Sequence, residues 1–270
     1  MSATFENREP SSITFVVATN NREILEKNLL ASPCLCGTHR HQIVVQEDFK
    51  SAAAAYNDAL DKSSNDLIVF CHQDMFFPPG WISDLQSIIE RLEIKDPDWG
   101  VLGCFGATQD GQLHGYVHSS GLGILGRYSD PTEVQTLDEI VLIVRRSSGL
   151  RFDASLPNFH LYGTDICLRA ASIGKRNYAI SAFCIHNTYQ AYTLPKEFFD
   201  CCDHIRRTWK KSLPIQTPCI RLTRLSIPVL FRKLSQVYFK HIRRTERTVL
   251  RVADPRQIFE RIAESVRSSV

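Results

Sequence analysis

The stretch that most limits how this chain can fold is Leu67-Ile68-Val69-Phe70-Cys71-His72-Gln73-Asp74. Five apolar residues in a row describe a strand buried on both faces, as in a sheet covered by helices. In open α/β sheets ligands bind outside the carboxyl ends of the strands, and His72-Gln73-Asp74 stands at such an end. A hard carboxylate at Asp74 is either a partner for Mg2+ or Mn2+ or a cap for the turn before a helix near Trp81. The local spacing leaves both readings open.

The neighbouring segments repeat the pattern. Ile13 to Ala18 reads as a strand, followed by a helix from Glu23 to Leu30 capped by Asn20 or Asn21. Ile43-Val44-Val45 is a second strand, and the Ala-rich stretch Ser51 to Leu60 a second helix. After the strand ending at His72, Trp81, Leu85, Ile88, Ile89 and Leu92 fall at helical spacing. Three alternations of strand and helix predict βαβ units in a largely parallel sheet. Beyond Trp99 the pattern changes. Gly100 to Gly103 is a short strand, Ser119 to Gly123 a loop in a Gly-rich region, and Glu133 to Arg145 one or two strands. A helix is predicted over 166–173, then a strand at Tyr178 to Ile180 running toward Ile185-His186-Asn187.

The 270 residues are 43% hydrophobic and 23% charged, enough for one α/β domain of roughly 200 residues with an appendage. The domains expected are a flexible start over 1–12, a body over 13–200 and a basic, mainly helical extension over 201–270. The polar start has no export signal and no stretch has the length of a membrane span, so a cytoplasmic location is expected. The nine scattered cysteines then read as reduced thiols. Charge is uneven: thirteen Lys or Arg fall between His204 and Arg251 against Glu246 alone, within a chain of net charge +3. Such a segment meets something anionic. Its apolar residues from Leu225 to Phe239, interrupted by Pro228, suit a helix in a membrane interface, a packed cover for the core or a grip on an acidic polymer. No nucleic-acid-binding module is recognisable there.

Several polar residues admit a functional and a structural reading. Asn57 on its helix either reads a nucleobase or ribose or is a satisfied polar side chain. Asp138 and Glu139 are adjacent on an extended segment and point to opposite faces, so either one faces a cleft or the pair stands on a solvated edge. Asp165 at a helix start is either a first-turn acid or a general base, with Arg169 one turn later as an ion-pair partner. His186 is a second metal ligand if it meets Asp74. Cys34, Cys36, His39 and His41 have zinc-ligand types at tighter spacing than structural zinc sites use.

Together, Val16-Val17-Ala18-Thr19-Asn20-Asn21, Ala55-Tyr56-Asn57, Val69 to Asp74, Trp99 to Gly103, Thr136-Leu137-Asp138-Glu139, Leu150 to Asp153 and Phe159 to Arg169 occur in an order that resembles the glycosyltransferase family 2-like group, in particular the subset similar to a streptomycin-biosynthesis protein. The resemblance spans roughly 13–187. It implies a GT-A-like fold, Rossmann-type with a mixed, mostly parallel sheet flanked by helices, and transfer of a sugar from a UDP- or GDP-sugar to a hydroxyl acceptor with inversion. The acceptor would be a glycan, a lipid-linked group or a small molecule. The family's Asp-x-Asp falls on His72-Gln73-Asp74, and its Glu-Asp pair on Thr164-Asp165, so in each the first acid is replaced. The resemblance implies Mn2+ or Mg2+ on Asp74 and His186, and Asp165 as base. It implies donor contacts from Thr19, Asn20, Asn57, His72, Gln73 and Asp74, and an acceptor pocket from Asp138, Glu139, His160 and Arg169. A catalytically silent nucleotide- or sugar-binding protein on the same scaffold is the alternative, with a nucleotidyltransferase weaker for want of a Gly-rich basic loop after the first strand.

Overall fold

The computed structural model describes residues 12–36, 40–188, 194–238 and 251–267. The first elements are β1 (Ile13–Ala18), α1 (Arg22–Lys27), β2 (Gln42–Gln46), α2 (Ala52–Lys62), β3 (Leu67–His72), β4 (Met75–Phe76) and α3 (Trp81–Lys95). Short strands follow: β5 (Leu102–Gly103), β6 (Phe105–Ala107), β7 (Leu113–Ser119), β8 (Gly123–Gly126), β9 (Thr132–Val134), β10 (Thr136–Leu137) and β11 (Val141–Arg145). Then come α4 (Tyr162–Ser172), β12 (Asn177–Ala179), β13 (Cys184–His186), α5 (Lys196–Thr208), β14 (Ile215–Gln216), β15 (Arg221–Leu222), α6 (Ile227–Val237) and α7 (Arg256–Arg267).

The main sheet has the order β2-β1-β3-β11-β5-β12-β9. Its first three strands are parallel, with Ala18 opposite both Gln46 and His72, so the ends of β1 and β3 lie side by side. β11 then runs against β3, placing Val141 opposite Cys71, and β5 and β12 resume parallel pairing. The sheet is therefore mixed: the parallel βαβ pattern read from the sequence holds up to β3, and a strand returning from the Gly-rich region closes beside it. A second sheet, β10-β6-β7-β13-β4, carries β8 on β7. The loop expected at Ser119 to Gly123 is the turn at 120–122 between β7 and β8, and the Gly-rich region around it is mostly strand.

Local chemistry explains the boundaries. Asn21 Oδ1 accepts from Ile24 N at 3.1 Å and starts α1, and Ser51 Oγ accepts from Ala54 N at 3.3 Å and starts α2. The alanines of α2 let it lie close to the sheet, where Tyr56 meets Phe70 with ring centroids 4.9 Å apart. Two apolar layers sandwich the main sheet, one under α2, α4 and α5, the other under α1 and α3. Pro228 begins α6 instead of breaking it, since the first turn of a helix needs no bonded N–H.

The boundary expected at 200 falls inside α5. Phe198 and Phe199 before it, and Cys201, Cys202 and Ile205 after it, share one core with Ile215, Leu222 and Val229. Thr136 Oγ1 donates to Gln216 O at 2.6 Å, tying the segment after α5 to β10. All nine cysteines are free thiols. Of the sequence cluster near Cys34, His39 lies outside the described residues, and His41 Nδ1 accepts from Ile13 N at 3.3 Å. Residues 1–11 also lie outside them.

Candidate functional site

The ends of β3, β4 and β13 build the centre of the site. β13 runs antiparallel to β4 with His186 opposite Met75, which brings His186 to Asp74 across 112 residues of chain. His186 Nε2 lies 3.3 Å from Asp74 Oδ1, and ligand atoms of His72, Asp74 and His186 all fall within 4.8 Å of one another. Asp74 and His186 are buried. Burial alone would raise the Asp74 carboxyl, but His186, His72 and Arg251 outweigh it and hold the group far below the usual carboxylate range. Burial and the neighbouring His186 push His72 down to about 4, against the pull of Asp74, so its ring is neutral near pH 7. Burial lowers His186, but Asp74 outweighs it and the net shift is upward. Two imidazole nitrogens and one ionised carboxylate oxygen fit a divalent cation, and the donor types suit Mn2+ better than Mg2+, which prefers oxygen alone.

Asp74 has a further partner in the basic C-terminal segment. Arg251 Nη2 donates to Asp74 Oδ2 at 3.0 Å, and its Nε donates to Asn187 O at 2.6 Å. Asn187 holds the arriving segment by two bonds to the Val252 backbone, at 2.9 and 3.0 Å. Beyond it, Ile258 of α7 is buried with Phe76 and Ile185, on the β4–β13 pair that carries the site. The apolar spacing of Ile258, Phe259 and Ile262 was the available signal that this end of the chain is anchored.

The turn between β10 and β11 forms the next wall. His72 N donates to Ile140 O at 3.2 Å, so Asp138 and Glu139 come beside the end of β3. Tyr162 at the start of α4 bridges the two: its hydroxyl donates to Glu139 O at 3.2 Å and lies 3.1 Å from His72 Nε2. Leu161 precedes it with φ 59°, a left-handed conformation costing a leucine about 1–2 kcal/mol. Gly163 permits the close approach, since a Cβ there would stand 2.8 Å from Leu137 O. Glu139 is half-buried. Burial and the adjacent Asp138 push its carboxyl up to about 8, offset in part by N–H groups at the start of α4. Asp138 is also raised by burial, and its Oδ1 accepts from Ile140 N at 3.2 Å. His160 stacks edge-on against Phe198, ring centroids 5.7 Å apart.

The expected donor residues divide. Gln73 is knitted to the end of β1: its Oε1 accepts from Thr19 Oγ1, from Asn20 N at 3.3 Å and from Asn21 N at 3.2 Å, and its Nε2 donates to Asn20 Oδ1 at 2.8 Å. Thr19, Asn20 and Gln73 thus form one rim next to Asp74. Asn57 does not join them. Its amide donates to Phe152 O at 2.9 Å and accepts from Phe152 N at 3.0 Å, so both polar atoms clamp a backbone.

Asp165 corrects a second expectation. Its side chain has no exposed surface, and both oxygens are engaged. Oδ1 accepts from Trp209 Nε1 at 2.8 Å, while Oδ2 accepts from Arg169 Nε at 2.6 Å and from Asp153 N at 3.3 Å. Arg169 also reaches Asp153 at 3.1 Å, and His204 Nε2 lies 3.1 Å from the same Asp153 oxygen. Asp165 and Arg169 therefore pin α4 to α5 and the 150–155 loop. The carboxylate has no exposed surface to share a crevice with Asp74, and the Arg169 guanidinium is engaged by Asp165 and Asp153.

A cleft of about 500 Å3 lies elsewhere, lined by Val134, Leu168, Lys175, Arg176, Asn177 and Trp209 among others. It includes none of the residues of the His72–Asp74–His186 group.

No protein-family profile matches the chain. One curated relative, from Fuscovulum blasticum and described as "ATP synthase subunits region ORF 6", is 32% identical over 139 residues, 49% of this chain and 55% of that protein. The chain thus spans about half the length of the curated relative it matches. Among solved structures, S. aureus TarS is 13% identical, covering 73% of this chain and 39% of that one, at a TM-score of 0.48. The mannosyltransferase PcManGT from Pyrobaculum calidifontis, solved with GDP-Man and Mn2+, is 14% identical, covering 87% and 71%, at a TM-score of 0.44. These likenesses are too distant to carry the site, whose chemistry rests on the chain's own residues.

Proposed function

We propose that the chain is a glycosyltransferase of the family 2-like kind, moving a sugar from a nucleotide-sugar to a hydroxyl acceptor. One observation carries the reading: His72, Asp74 and His186 converge within 4.8 Å at the strand ends, next to the Thr19–Asn20–Gln73 rim. A nucleoside diphosphate needs just such a place, a rim of polar groups for the nucleoside and a cationic focus for the pyrophosphate.

His72, Asp74 and His186 would hold a divalent cation, which when bound supplies Lewis-acid neutralisation of the charge on the departing diphosphate. Arg251 adds a fixed positive charge at the same point. The acceptor's proton goes to Glu139 in this reading, in place of Asp165, because Glu139 is half-open, lies beside His72 through Tyr162, and is raised into the range where a carboxylate is a useful base. Inversion would require the acceptor to approach the reacting carbon from the side away from the departing diphosphate. Asp138 and His160 would line the acceptor side in this reading.

The test is calorimetry with UDP- and GDP-sugars, with and without Mn2+, followed by assay of donor hydrolysis. The reading expects binding that requires Mn2+, slow hydrolysis of the bound donor, and loss of the Mn2+-dependent binding in Asp74→Asn. Metal-independent binding with no hydrolysis would instead establish a silent binding protein. That alternative draws on Arg251, which already neutralises Asp74 Oδ2.

A further inference from the structure

Helix α6 is attached to the body with its apolar face outward. Ile227, Leu230, Phe231, Leu234 and Val237 recur at the spacing of a single helix face. On an ordinary surface helix that stripe is buried. Here Leu230 is 57% exposed, Phe231 73% and Leu234 59%, and Leu225 just before the helix is 78% exposed. The opposite side makes the attachment. Val229 is buried in the core, Gln236 bonds both the N–H and the carbonyl of Leu194 at 2.7 and 3.1 Å, and Lys233 Nζ sits 4.9 Å from the Phe199 ring centroid. At the start of α6, Arg206 donates to Thr223 O at 2.8 Å and to Arg224 O at 2.7 Å, which fixes the helix's approach. The outward stripe is thus held in place by specific bonds on the far side.

We propose that α6 is a bilayer-docking helix that lies in the interface of an anionic membrane. Large exposed apolar patches mark interaction sites, and the charges around this one select the partner. Arg221, Arg224 and Arg232 are exposed on or next to the helix, and no Asp or Glu occurs between Asp203 and Arg232. A helix lying in the interface buries its apolar face to the headgroup boundary, while basic side chains beside it meet anionic lipid. A second copy of the chain fits less well, because a two-fold contact through this face would bring the same arginines together. Among the described residues no helix is long and apolar enough to cross a membrane.

The experiment is co-sedimentation of the full chain, without donor or metal, with phosphatidylcholine vesicles and with vesicles that also contain phosphatidylglycerol. This readout is independent of the transfer reaction. Binding to the anionic vesicles is expected, weakened by salt, and reduced at least about tenfold in Phe231→Glu and in Leu234→Glu with the unfolding temperature unchanged. Absence of binding at low salt overturns the proposal, as does full binding by both variants. So does a dimer in sedimentation velocity that Phe231→Glu dissociates, which would make the face a protein contact.

Discussion

The Arg251 guanidinium lies 3.0 Å from Asp74 Oδ2, a contact between residues 177 apart in the chain. One carboxylate is thereby shared between the candidate metal site, through Oδ1, and the C-terminal segment, through Oδ2. A fixed cation this close competes with a second one by charge repulsion and by holding an oxygen. Arg251→Ala should therefore tighten Mn2+ binding, by about tenfold or roughly 1.4 kcal/mol. Electron paramagnetic resonance titration of free Mn2+ measures this; unchanged or weaker binding would show that Arg251 does not compete at Asp74.

Glu139 supplies a kinetic prediction. Its carboxyl is raised to about 8 by burial and by Asp138. A base works only when ionised, so kcat should climb with pH and level off above about 8, the direction set by an upward shift. Glu139→Gln should lower kcat about 10²–10⁴-fold with donor affinity nearly unchanged. A variant with wild-type turnover returns the proton to another group.

Asp165 leads to the opposite expectation. Three donors converge on its buried carboxylate, among them the Arg169 guanidinium. Removing one partner of a buried ion pair costs about 3–5 kcal/mol, so Asp165→Asn should lose stability on that scale in urea unfolding. Turnover per folded molecule should stay near wild type. Intact stability with abolished turnover would restore Asp165 as the base.

Asp153 makes the same network sensitive to acid. Burial would raise its carboxyl, but the bonds from Ser155 and His204 and the charge of Arg169 outweigh that and hold it down to about 2. An unfolded aspartate titrates near 3.9. The folded value is depressed, so the stability it contributes, on the order of 1–2 kcal/mol, is complete above pH about 4 and is lost as pH falls from there toward 2. Asp153→Asn should be less stable at neutral pH and show a flatter stability profile between about pH 4 and 2. A profile as steep as wild type would place the acid sensitivity in other groups.

Local pattern was enough to identify the parallel strands at the front of the sheet. An unbroken apolar run such as Leu67 to Cys71 has no solvent face to offer, and Asn21 and Ser51 cap their helices through bonds spanning only three residues. The meeting of Asp74 with His186 is implied by the family resemblance; local pattern leaves it open, and the β4–β13 pairing makes the contact. What pattern does not encode is the direction a side chain takes once distant elements pack. Asp165 reads alike whether it faces a cleft or Trp209, because the indole that buries it arrives 44 residues later. Asn57 is decided by the backbone of Phe152, Asp74 by Arg251, and the outward face of α6 by the grip of Gln236 on Leu194. Sequence thus determined which segments become strand and helix, through short-range bonding and apolar periodicity. Tertiary packing alone decided which carboxylates stay open and which are spent on holding the fold, because desolvation and long-range partners exist only when the elements have come together.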